Sequence, residues 1–306
     1  MSRIVFWFLL LAGVSEVAFG QRPSAGDPAS QLSAYQDTLK GLAYQVINSP
    51  DQAERYASNA RMIRTLVRSL QVSGSYSFNF DSLKSLSIQR SPDNKFRIFT
   101  WHVMNQNGSY RYYGAIQMNA PGKLQLHPLV DYSDQISAPQ DTSVDNNHWY
   151  GSQYYKIIPV TRGAAAPYYV LLGWKGNTVK STKKVIDVLR LDGSSATFGM
   201  PVFEGNAKVN GKKRIVFEYN RSVSMMLNYE ADQQRIVFDH LAAPAPEMEG
   251  DPSMLGPDLS YDGLKLTNGK WKFLNNIELM NRSSETDDLY IDPRKKNTET
   301  INKLRQ

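Results

Sequence analysis

The chain has 306 residues, with 35 lysines and arginines against 29 aspartates and glutamates, a formal charge of +6, and no cysteine. The missing cysteine excludes disulfides, thiolate metal sites, a cysteine nucleophile and a lipidated cysteine, so stability has to come from an ordinary hydrophobic core. The basic excess is modest, and its clusters at Lys180/Lys183/Lys184, Lys208/Lys212/Lys213/Arg214 and Arg294/Lys295/Lys296 sit beside expected turns or in a polar tail. They read as solvated charge and not as a nucleic-acid face.

Residues 1–20 have the form of a signal peptide: Arg3 supplies a positive start, Ile4 to Val14 an apolar run, and Ala18-Phe19-Gly20 small residues at the recognition positions, with cleavage before Gln21. The apolar run is short for a bilayer and no later stretch approaches about 20 apolar residues, so the mature chain is expected to be exported without a transmembrane segment. A periplasmic location fits best and an extracellular one is possible, because a cysteine-free chain is less usual in a eukaryotic secretory route. Residues 21–30, rich in Pro, Gly, Ser and Ala, read as a flexible leader.

Across 31–70 the apolar residues recur at three and four positions: Leu32, Tyr35, Leu39, Leu42 and Val46, then Ala53, Tyr56, Ala57, Ala60, Ile63, Val67 and Leu70. This spacing predicts a helical hairpin, with Ser49-Pro50-Asp51-Gln52 starting the second helix through a Ser cap and Pro at the first helical position. From Ser75 the period changes to two, and 71–281 is expected to be an antiparallel β domain. Asn107-Gly108, Asn210-Gly211 and Asn268-Gly269 are expected hairpin turns, with Asp192-Gly193 and Asp262-Gly263 as further candidates, because these dipeptides tolerate positive φ. Arg214 to Tyr219 and Arg235 to His240 share the pattern R-I-V-F-acid-ring; with Val223 to Tyr229 between them they would make a meander, Glu218 and Asp239 sharing one face about 10 Å apart. The fold class is therefore mainly β, an antiparallel meander of propeller or sandwich form behind a helical hairpin. Residues 282–306 form a polar tail.

The familiar hydrolase, zinc-protease, nucleotide and dinucleotide signatures are missing, and His102, His127, His148 and His240 have no short ligand spacing, so no cofactor is expected. Chemistry concentrates at Asp239, His240, Asp258 and Asp262, which flank a long Pro-rich loop and could converge on a divalent cation such as calcium or on a polar ligand. Their bland alternative is turn capping by the aspartates. Trp101, Trp149 and Trp174, set among tyrosines and amides, would suit a sugar or peptide if exposed, or a sheet core if not.

The run Ser91 to Trp101, with Tyr169-Val170-Leu171-Leu172-Gly173-Trp174, Phe217-Glu218-Tyr219, Val237 to Leu241 and Gly256 to Asp262, resembles a group of uncharacterised exported proteins of Bacteroidota. The resemblance implies a Gram-negative envelope location and carries no activity. The expected function is a non-enzymatic module that binds an envelope protein or glycan. The alternative is an envelope hydrolase using carboxylates around Asp239 and Asp258, and no nucleic-acid partner is expected.

Overall fold

A computed structural model describes residues 26–279 apart from 162, 165 and 194; the expected signal peptide and polar tail lie outside the described residues. Helices α1 (Pro28–Asn48) and α2 (Gln52–Leu70) form the hairpin. α1 starts inside the stretch expected to be a flexible leader, because Asp27 accepts the Ser30 N–H at 3.3 Å and Pro28 sits at the first turn, where its missing donor costs nothing. The cap of α2 is Asp51, which accepts the Ala53 N–H at 3.0 Å. Ser49 instead ends α1, its N–H on the Gln45 carbonyl at 3.1 Å, so the start lies two residues later than the Ser-Pro signal suggested.

Among the described residues, fifteen strands follow. β1 (Ser87–Arg90), β2 (Phe96–Met104), β3 (Tyr110–Met118) and β4 (Leu126–Val130) make one meander. β5 (Val144–Asp145), β6 (Gln153–Val160), β7 (Tyr168–Gly176), β8 (Ser181–Asp192) and β9 (Ser195–Phe198) make a second sheet, in the order β5-β9-β8-β7-β6. After β10 (Phe203–Glu204), strand β11 (Ile215–Asn220) also joins that sheet by pairing with β8. β12 (Leu227–Glu230), β13 (Arg235–Ala242), β14 (Gly256–Thr267) and β15 (Lys270–Leu274) form the third sheet, to which β10 adds in parallel.

Side-chain parity stacks these sheets. In β2, Phe99, Trp101 and Val103 pack with Leu39, Met62 and Leu66 of the helices, while Phe96 and Ile98 pack with Leu171, Leu189 and Phe198 of the second sheet. In β7 and β8 the alternate residues, Val170, Leu172, Ile186 and Val188, pack with Ile236, Phe238, Leu264 and Trp271 of the third sheet. The order is thus helices, first, second and third sheets, with the second sheet apolar on both faces. The chain is mainly β with an N-terminal helical hairpin, and among the described residues no sheet closes into a barrel. Each meander is a unit of the kind a propeller repeats, but the helices cover the face of the first sheet that a closing blade would need, so the arrangement is a stack.

Asn268 and Gly269, at φ +50° and +72°, form the two-residue β14–β15 hairpin, and Asp192-Gly193 lies at the β8–β9 turn. Asn107-Gly108 lies in the longer β2–β3 connection. Two expected turns differ. Gly211 links β10 to β11, which belong to different sheets, and Asp262-Gly263 lies within β14, paired with Val237 and Phe238. The expected three-strand meander also differs: β11 lies in the second sheet and β13 in the third. An echo of sequence marks similar burial demands, and pairing follows whichever neighbour completes a layer.

Candidate functional site

Because β11 and β13 arrive from facing sheets, the matching rings of the echo meet across the seam: Phe217 and Phe238 have centroids 4.7 Å apart. Beside them opens a groove of about 500 Å³, whose walls include Glu218, Asp239, His240 and Asp262 and the amides of Gln140, Asn206 and Asn275. This size suits a ligand of one or two rings.

The acids in it are committed. Asp239 accepts the Met226 N–H at 2.6 Å. Asp262 is only 6 % exposed and accepts the Asn276 N–H at 3.0 Å. Glu218 accepts from Ser181 Oγ at 2.6 Å and Asn177 Nδ2 at 2.8 Å, and pairs with Lys183 at 3.1 Å. Asp258 borders a neighbouring cavity of about 420 Å³ and joins the group through His240, whose Nδ1 lies 2.8 Å from Oδ2. Its Oδ1 accepts the hydroxyl and the N–H of Ser260 at 2.7 and 2.9 Å. The Ser260 hydroxyl, then its N–H, then His240 hold the Asp258 carboxyl down at about 2. The structure therefore brings Asp239, His240 and Asp262 to one groove with Asp258 at its edge, the aspartates each serving a backbone N–H. Among the described residues no group of three or more His, Asp or Glu side chains is placed to hold a metal ion, so the calcium reading lacks a ligand set there.

The tryptophans separate. Trp101, 3 % exposed, lies between helices and first sheet, donating to Asn59 Oδ1 at 2.7 Å and stacking on Tyr113. Trp149 is fully buried and donates to the Tyr154 hydroxyl at 2.9 Å. Both are core residues, which corrects their candidacy as ligand platforms; a satisfied indole N–H lets so large a ring be buried whole. Trp174 is half-buried and lines a third cavity of about 340 Å³.

The second sheet also holds buried polar groups: Lys175 and Asp187 went unremarked in the sequence, and Arg214, read there as part of a solvated basic cluster, is instead fully buried because Asp187 pairs with it inside the sheet. Lys175, 6 % exposed, donates to Ser133 Oγ at 2.8 Å and the Gly151 carbonyl at 2.7 Å, its nitrogen 4.5 and 4.6 Å from the ring centroids of Tyr112 and Tyr150. Burial pushes it down to about 8, with nearby Asp131 opposing. Arg214 and Asp187, both fully buried, pair at 3.1 Å, and the Tyr154 hydroxyl donates to Asp187 at 2.9 Å. A lysine closing the apolar run Tyr168 to Trp174 was the available signal for the first network. No protein-family model, curated protein or solved structure matches the chain.

Proposed function

We propose that this is an exported envelope protein of the periplasm that works by binding, and that it takes a glycan in the groove between the second and third sheets. The lining supports this reading: aromatic surface from the half-buried Phe217 and Phe273, the former backed by the buried Phe238, lies beside the amides of Gln140, Asn206 and Asn275, and flat faces stack on sugar rings while amides fix their hydroxyls. The resemblance to exported proteins of Bacteroidota supports the location. A hydrolase would need a carboxyl that keeps its proton near neutral pH, whereas Asp258 is drawn the other way and Asp239 serves the Met226 backbone.

The test is a glycan array, with a peptide library as its second arm, probed with wild type and with His240→Ala and Asn275→Ala. Wild type is expected to retain a glycan class, and each variant to lose affinity about tenfold, as loss of a hydrogen bond to ligand does, at unchanged melting temperature. Retention of peptides alone would replace the glycan reading with a protein-binding one. Sequencing of exported material is expected to give a mature start at Gln21; a start at Met1 in a membrane fraction would refute export by cleavage.

A further inference from the structure

The cavity of about 340 Å³ at Trp174 differs in chemistry from the groove. It is lined by Trp174, Tyr110, Tyr219, Lys184, Arg221 and Ser224, among others, with two cations and no Asp or Glu. Register places Trp174 of β7 opposite Lys184 of β8, and Thr182, two residues from Lys184 on the same face, opposite Tyr219 of β11. The indole N–H is spent on Thr182 Oγ1 at 2.8 Å, so the ring offers a ligand only its surface. That ring is held by Tyr110 and His102, with centroids at 5.5 and 5.3 Å.

The cations are also held in place. Arg221 donates through Nη2 to the Tyr110 hydroxyl at 2.7 Å and through Nη1 to the Thr178 carbonyl at 2.9 Å, both neutral acceptors. The Lys184 nitrogen lies 4.6 Å from the centroid of Tyr155. Neither cation has a carboxylate partner among the described residues, unlike Lys183, Lys212 and Arg235, which do. The acid bearing on this region from outside is Asp239, near Tyr219 and committed to the Met226 N–H. Two fixed cations beside a half-open indole and the exposed hydroxyl of Ser224 combine attraction for an anion with a stacking surface.

We infer that this cavity binds a carboxylate-bearing sugar, with Lys184 and Arg221 facing the carboxylate and Trp174 facing the ring. The inference does not rest on the groove reading, since no acid or amide of the groove lines this cavity. Free uronate and a uronate unit within a polymer share the chemistry, and chain length in the test separates them.

Titration calorimetry of the full chain with galacturonate, oligogalacturonate and neutral oligogalactose, at low and high salt, tests it. Binding of a galacturonate ligand is expected, weakening with salt, with neutral oligogalactose at least about tenfold weaker. Tighter binding of the oligomer than of the monomer assigns a polymer, and equal binding assigns the free sugar. Lys184→Met and Arg221→Gln are each expected to reduce affinity about tenfold, and Trp174→Phe to abolish the ligand-dependent change in tryptophan emission. Equal binding of charged and neutral oligomers, no binding of either, or full affinity in folded Lys184→Met and Arg221→Gln variants would overturn the inference. If a variant fails to fold, the comparison of charged and neutral ligands on wild type decides alone. His240→Ala, which touches the groove only, is expected to leave uronate affinity unchanged, so failure here and failure of the groove reading are scored separately.

Discussion

Lys175 carries a cost that is lifted as pH rises. Its ammonium is buried without a carboxylate in contact, and it titrates at about 8 in the folded chain against 10.5 when free. Below pH 8 both states hold the proton and the full penalty is present, about 3 kcal/mol. Between pH 8 and 10.5 the unfolded chain binds the proton that the folded chain has released, so stability rises with pH. Tyrosines such as Tyr150, pushed well up by burial, act oppositely above pH 10, where the unfolded chain ionises first. Urea midpoints are therefore expected to climb from pH 7.5 to 9.5 and fall beyond, with the climb flattened in Lys175→Met. Arg214→Met leaves Asp187 charged and fully buried, and is expected to cost about 3–5 kcal/mol in the same assay. At Asp258, bonded locally to Ser260 and across to a half-exposed His240, replacement by Ala is expected to cost about 1 kcal/mol. Thermal melts of the wild type should coincide in calcium and in chelator; a calcium-dependent rise would restore the metal reading.

Turns show how far a pattern of residues reaches. Gly211 and Gly269 have nearly the same backbone, φ +71° and +72°, but a Cβ at 211 meets open space and one at 269 falls 2.5 Å from the backbone of Gly163 and Ala164. Gly211→Ala is expected to cost about 1 kcal/mol, the strain of that φ, and Gly269→Ala at least about 2 kcal/mol more, read from denaturant midpoints. Both follow Asn, and sequence alone gives them one meaning. The same limit explains the rest of what could be read. Helices declared themselves through apolar spacing, and strands through alternation, because each reports its own burial. Which sheet β11 joins depends on β8, some 30 residues earlier, and no local signal encodes that choice. Asp262-Gly263 was misplaced for a related reason: Gly263 sits in β14 because a Cβ there would press on the Ile236 carbonyl at 3.0 Å. The site was half legible. Asp239, His240 and Asp262 do share a groove, but their backbone partners Met226 and Asn276 come from segments that only the fold brings near.

At the scale of the whole molecule, the hairpin and the β layers form one body, since Phe99, Trp101 and Val103 of the first sheet face the helices. A chain starting at residue 71 would expose that face, and is expected to bind more hydrophobic dye and to associate more than the full chain does; equal behaviour of the two would show the helices to be an appendage. The layers also appear in space in almost the order in which they appear along the chain: helices, β1–β4, β5–β9, then β12–β15. A polypeptide emerging N-terminus first therefore finds, for each new layer, a finished surface to settle on. Until β12–β15 arrive, however, Val170, Leu172, Ile186 and Val188 have nothing over them. The interval between the second and third meanders is then the hazardous moment in the life of the nascent chain, when a holding chaperone would find its grip and a ribosome stalled near residue 220 would leave an adhesive product behind.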